Sequence, residues 1–129
     1  MNEIIKKEEI KVKNMIYEIR GKQVMLDSDV AILYDTDTKR VNEAVTRNRD
    51  KFLERFSWKL TNEELKLLWS QFATANISTK SRNNPRVFTE QGVAMLATIL
   101  KTAIATQVTI KIMNAFVEMR KYINNNLIE

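Results

Sequence analysis

The sequence of 129 residues contains no cysteine and no histidine. Without cysteine there are no disulfides, thiol nucleophiles or thiolate metal sites. Without histidine the commonest general base and the commonest metal ligand are missing. Only two glycines are present, Gly21 and Gly92, which excludes a glycine-rich phosphate-binding loop. We therefore expect a protein that is not an enzyme and that uses no metal and no cofactor.

Long apolar runs are also missing. No segment approaches the ~18 consecutive apolar residues of a membrane helix. Residues 1–9 mix acidic and basic side chains and lack the apolar block of a signal peptide. These features predict a cytoplasmic protein with no membrane partner. Its 21 basic and 16 acidic residues leave a net charge of +5, which favours a polyanionic partner such as nucleic acid.

The periodicity of apolar residues predicts one α+β domain, mostly helical, with a small β-hairpin and short strands. We expect a charged arm over 1–14, the domain over 15–124 and a tail over 125–129. Two β-prone runs, 16–20 and 23–26, flank Gly21 and Lys22, which suit a type II′ hairpin turn. Asp27 and Ser28 are expected to cap the first helix.

Further elements follow the hairpin and the first helix. Alternating residues at 56–60 predict a strand, and Thr61 with Glu64 forms a capping box for the next helix. That helix is expected to bury Leu65, Leu68, Trp69 and Phe72. The polar segment 76–86 is predicted to be an exposed loop. Helices are expected over 89–100 and 104–124, with Gly92 allowing close packing in the first of them.

Residues 28–51 have the pattern of a helix-turn-helix unit. Ala31 supplies the small residue of the first helix and Asp35 the turn. Val41 and Ala44 supply the apolar contacts of a second helix, which Thr38 caps and which runs to about Asp50. Glycine is usual at the turn, but Asp tolerates the left-handed conformation better than most other residues. The pattern therefore predicts two helices joined by a tight turn.

The polar face of the second helix carries side chains that commonly contact DNA. Between 38 and 51, five basic and two acidic residues give +3 of the net charge of +5. Base contacts are predicted for Lys39, Arg40, Asn42 and Glu43, and phosphate contacts for Arg47, Arg49 and Lys51, with Thr38 and Thr46 on the same face. The competing interpretation is a solvated basic helix.

Two other segments could add phosphate contacts. The hairpin tip carries Arg20 and Lys22, and the loop before 87 carries Lys80, Arg82 and Arg86 together with hydroxyl and amide groups. Such groups bind phosphate oxygens in many DNA complexes. Taken alone, each segment is better explained as a solvated turn.

Several separated motifs resemble the ORF-six-N domain. They are RGKQVMLDSDVAILY at 20–34, TKRVNEAVTRN at 38–48, FSWKLT at 56–61, SQFAT at 70–74 and FTEQGVAML at 88–96. The family is related to the KilA-N and Bro-N domains of phages and large DNA viruses. The resemblance implies a double-stranded DNA-binding module of a phage or prophage regulator, often antirepressor-like, without catalytic residues. It also places glycine where this chain has Asp35.

Two questions about partners remain open at this point. A protein-protein interaction module that acts on another regulator, without direct DNA binding, is the alternative function. The apolar stripe of the last helix, which includes Ile112, Phe116 and Met119, could form a homodimer interface or simply close the core. Residues 124–126 could end a helix or lead into a further C-terminal domain.

Overall fold

A four-stranded antiparallel sheet organises the part of the chain that the computed structural model describes, residues 11–71 and 83–128. The spatial order of its strands is β1-β2-β4-β3, with β1 at Ile16–Ile19, β2 at Lys22–Leu26, β3 at Ser57–Lys59 and β4 at Arg86–Thr89. The longer helices are α1 (Asp27–Leu33), α2 (Thr38–Arg47), α3 (Asn62–Gln71), α4 (Glu90–Leu100) and α5 (Ala103–Ile128). The predicted α+β class, mostly helical, is confirmed.

The hairpin turn differs from the predicted one by one residue and in type. Ile19 pairs with Lys22, so the two-residue loop consists of Arg20 and Gly21. Both have positive φ, 57° and 69°. Two positive φ values are the signature of a type I′ turn, whose twist matches that of the flanking strands. The predicted type II′ turn at Gly21 and Lys22 was wrong because cross-strand pairing, which local residue types do not reveal, set the register.

Helices cover both faces of the sheet, so the domain has two apolar clusters. Along β2, Met25 belongs to the cluster that includes helices α1, α2, α4 and α5, while Val24 and Leu26 belong to the cluster under α3. This alternation follows from the two-residue period of a strand. In α3, Leu68 is buried and Leu65 partly so, but Trp69 remains 37% exposed. The expectation that Trp69 is buried was wrong, whereas Trp58 on β3 is 4% exposed.

Two predicted helix caps lie one residue away from their observed positions. Helix α1 already includes Asp27, and Leu26 occupies its N-cap position without a side-chain hydrogen bond. The N-cap of α2 is Asp37, whose carboxylate accepts from the amide of Arg40, so Thr38 is the first helical residue. Helix α2 ends at Arg47, and a short 3₁₀ turn at Arg49–Lys51 follows. The other predicted cap, Thr61 with Glu64, is confirmed by reciprocal hydrogen bonds of 3.1 and 3.0 Å.

The long helix α5 closes the larger cluster. Ile112, Ala115 and Phe116 are buried, and Val108 and Met119 pack partly against the same cluster. The predicted stripe therefore faces the core, which favours the core-closing alternative over an interface on this stripe. The helix continues to Ile128, beyond the predicted end at 124.

Ordered packing begins before the predicted domain start at residue 15. Residues 11–13 are helical, and Val12 is 3% exposed within the larger cluster. Lys13 adds an ion pair with Glu118 of α5 at 3.7 Å. Phe72, which was predicted to be buried, lies outside the described residues. So does most of the predicted loop, including Lys80 and Arg82.

Candidate nucleic-acid interface

A tight connection joins α1 to α2. The amide of Thr36 donates to the carbonyl of Ala31 at 2.9 Å, and the amide of Asp35 donates to that of Ile32 at 3.1 Å. These two bonds form a Schellman motif, which needs a left-handed residue after the C-cap. Asp35 takes this place with φ 53°. The prediction that Asp35 substitutes for glycine at the turn is confirmed.

Apolar contacts and one hydrogen bond hold the helix pair against the rest of the domain. Ala31 of α1 and Val41 and Val45 of α2 are almost fully buried, while Ala44 packs partly against the same cluster. The hydroxyl of Tyr34 lies 2.6 Å from Oγ1 of Thr109 in α5, and burial raises the pKa of this tyrosine. The α1–α2 pair is therefore held firmly against the core of the domain.

A buried carboxylate connects α2 to the sheet. Asp27 is 4% exposed and accepts hydrogen bonds from the amide of Ser28, from Nδ2 of Asn42 and from the amide of Arg86. Asn42 also donates to the carbonyl of Thr38 at 3.0 Å. A buried polar group needs such partners, so Asn42 has an internal role. No local sequence pattern indicates this link, because Asp27 and Asn42 meet only through tertiary packing.

The exposed side chains of α2 form two strips. Lys39 and Thr46 are exposed and seven residues apart, as are Arg40 and Arg47, and this spacing puts each pair on one side of a helix. Arg49 and Lys51 are exposed on the 3₁₀ turn. Thr38 and Glu43 are half-buried. The structure thus exposes all five predicted basic residues of α2 and the 3₁₀ turn, whereas Asn42 is bonded within the domain.

The basic residues of the hairpin tip are engaged within the domain. Nε of Arg20 donates to Glu64 at 2.7 Å, its Nη1 lies 3.9 Å from Glu54, and its guanidinium lies 4.6 Å from the ring centroid of Trp58. The hydrogen bond to Glu64 raises the pKa of Arg20. Lys22 donates to the carbonyl of Arg55 at 3.2 Å. Two predicted contact residues of the tip therefore stabilise the hairpin.

Arg86 lies on β4 beside a groove at the sheet edge. This groove separates α2 and the 3₁₀ turn from strand β3, and it is lined by Thr46, Arg49, Ser57, Lys59 and Arg86 together with Val45, Phe52, Glu54 and Trp58. Lys59 was not among the predicted contact residues. Its position next to the buried Trp58 in an alternating strand was the only local signal for its exposure.

Residues 11–71 and 83–128 contain no group of three acidic side chains arranged to hold a metal ion. In the same part of the chain, no helix combines the length and apolar character required to cross a bilayer.

The fold and this surface define a small α+β domain that exposes basic residues on the second helix of a tightly joined helix pair. The family model described as ORF6N domain matches residues 14–99, which is well over half of the chain. The chain therefore belongs to the ORF6N domain family, a phage-related regulatory family, and the resemblance inferred from its separated motifs is confirmed. No curated protein and no solved structure matched the chain.

Proposed function

We propose that this protein is the double-stranded DNA-binding domain of a phage or prophage regulator, antirepressor-like, that acts in the cytoplasm. The observation that carries the proposal is the exposed basic surface of α2, on a helix joined to α1 by a tight turn and packed firmly on the core. A helix-turn-helix unit presents its second helix to the major groove in this way.

The roles assigned on α2 follow from position. Lys39 and Arg40, in its first turn, are placed to contact base edges, because recognition helices usually use their N-terminal residues for this purpose. Arg47, near the C-terminal end, is placed to contact a phosphate. Asn42 is assigned a structural role because it is bonded to Asp27.

Binding to random-sequence duplex DNA, measured by fluorescence anisotropy across a salt series, tests the proposal. We compare the wild type with Arg40→Ala/Arg47→Ala and with a charge-matched control, Lys66→Ala/Lys121→Ala, whose lysines are exposed on α3 and α5. The slope of log K against log salt should become shallower by about 1 in the first variant only, because that variant removes the phosphate contact of Arg47.

Two outcomes would contradict this function. Equal loss of affinity in both variants would mean that net charge, not α2, governs binding. No binding of the folded wild type at low salt would favour the alternative function, an interaction module that acts on another regulatory protein.

A further inference from the structure

The groove at the sheet edge concentrates positive charge. It encloses about 480 Å³, and its basic lining residues are Arg49, Lys59 and Arg86. Among the described lining residues, Glu54 is the only acidic one, and it is already 3.9 Å from Arg20. No carboxylate of the described residues forms an ion pair with any of the three basic side chains. Among the described lining residues, three basic side chains are present with one acidic side chain, so the groove carries a net positive charge.

This arrangement places like charges next to each other within the domain. Lys59 and Arg86 are direct partners across β3 and β4, and like charges opposite each other destabilise a sheet. Burial lowers the pKa of Arg86; the neighbouring Asp27 opposes this effect and Arg49 adds to it. The buried carboxylate of Asp27, which accepts a hydrogen bond from the backbone amide of Arg86, supplies one negative charge near these cations.

The guanidinium of Arg86 has a defined orientation. Its Nη1 donates to Oγ of Ser57 at 3.2 Å, and this hydroxyl donates to the carbonyl of Val87 at 2.9 Å. Arg86 is half-buried, whereas Arg49 and Lys59 are exposed at the same groove. One oriented guanidinium beside two exposed cations suits a phosphate group, since arginine binds phosphate in a fixed fork and lysine acts as a point charge.

The groove is continuous with the exposed surface of α2. Thr46 lines the groove and lies on the same side of the helix as Lys39, seven residues earlier. A DNA strand that follows this side of α2 would therefore reach Arg49 and the sheet edge.

We propose that the groove binds a backbone phosphate of double-stranded DNA through Arg49, Lys59 and Arg86, so that the sheet edge positions α2 on the duplex. The inference rests on the proposed function and adds a second contact element to it. Because a phosphate contact carries no base information, it should strengthen binding to every duplex sequence.

Single variants Arg49→Gln and Lys59→Gln test the groove, with Lys66→Gln as a control that removes the same charge elsewhere. All are measured on random-sequence duplex in the salt series, after circular dichroism has shown that they are folded. We expect each groove variant to make the salt slope shallower by about 0.9, and the control to leave it unchanged.

A second measurement separates binding from a structural role. Lys59→Gln removes a like-charge neighbour of Arg86, so without DNA its Tm should equal or exceed that of the wild type while its affinity for duplex falls. If Lys59 were needed only for folding, Lys59→Gln would lower the Tm and the affinity for duplex together. That result would overturn the proposal.

The two proposals fail in different ways. If both groove variants kept the wild-type salt slope while Arg40→Ala/Arg47→Ala still bound duplex more weakly, the groove would not be a phosphate site. The proposed role of α2 in DNA binding would stand. No duplex binding by the folded wild type would overturn both.

Discussion

At the scale of single residues, two backbone positions decide how the elements meet. Asp35 has φ 53° and ends α1 in a left-handed conformation that permits the short turn to α2. Gly92 permits a close approach, because a Cβ at this position would lie 2.3 Å from the carbonyl oxygen of Phe56. That carbonyl accepts hydrogen bonds from the amide and hydroxyl of Thr89. The expected packing role of Gly92 is confirmed.

Replacement of Asp35 by glycine should stabilise the protein. A left-handed conformation costs most residues roughly 1–2 kcal/mol and Asp somewhat less, while the greater unfolded-state freedom of glycine offsets part of the gain, so we expect about 0.5 kcal/mol. Urea unfolding with an unchanged m-value would measure the effect.

The neighbouring variant Thr36→Gly is the control. Thr36 is not among the residues with positive φ, so glycine there should lower the free energy of unfolding. A loss of stability in Asp35→Gly as well would show that the Asp35 side chain, and not its backbone conformation, supports the turn.

At the scale of secondary-structure elements, an ion pair connects the hairpin to α3. Glu64 accepts from Arg20 through both carboxylate oxygens while it also caps the helix through the amide of Thr61. The partial burial of Glu64 opposes ionisation, but hydrogen bonds from Arg20 and Thr61 outweigh it and lower the pKa of Glu64. The basic residue at the hairpin tip thus fixes the position of α3.

The stability that Glu64 contributes should depend on pH. Because its pKa is lower in the folded than in the unfolded protein, the contribution is complete above the unfolded value, near 4.5, and is lost as the pH falls through the folded value. Glutamine at this position keeps the capping box but removes the charge. We expect Glu64→Gln to cost about 0.5–1 kcal/mol at pH 7 and to match the wild type in strong acid.

Thermal unfolding between pH 2 and 7 would check this dependence. Glu63→Gln, an exposed neighbour in the same helix, should show a much smaller difference at every pH. If Glu64→Gln lowered the stability by the same amount below the pKa of Glu64 in the folded protein, this result would contradict the assigned ion pair.

At the scale of the whole molecule, α5 completes the core through side chains far from the rest in sequence. Phe116 is 1% exposed and Ile112 fully buried in the cluster that also contains Met25 and Phe88 of the sheet. The neighbouring Val117 is 36% exposed. A single helix therefore has one side that belongs to the core and another that faces solvent.

Truncation of the Phe116 side chain should lower the stability of the fold and leave the oligomeric state unchanged. We expect Phe116→Ala to lower the free energy of unfolding by about 3–5 kcal/mol, the usual cost of a large cavity, without a change in sedimentation coefficient while the protein is folded. Val117→Ala should have a small effect on stability. A Phe116→Ala variant that keeps wild-type stability but changes its association state would instead support an interface on this stripe.

Local patterns predicted much of the fold but fewer details of the candidate interface. The capping box at Thr61, the turn at Asp35 and the apolar stripe of α5 depend on residues close in sequence, and all were predicted. The hairpin register, the exposure of Trp69 and the internal role of Asn42 depend on partners far away in the chain. The predicted contact set therefore included Arg20 and Asn42, which bond within the domain, and omitted Lys59.

The sequence by itself determined the α+β class, the helix pair and its turn, and membership of the ORF6N family, because periodicity, capping and turn chemistry are local and the family motifs are continuous segments. Only the tertiary structure decided which basic residues are available to a partner. Arg20 is paired with Glu64, while Arg49, Lys59 and Arg86 share a groove. The pairing of Arg20 and the shared groove depend on how α2, α3 and the sheet edge pack, and no local sequence pattern encodes that packing.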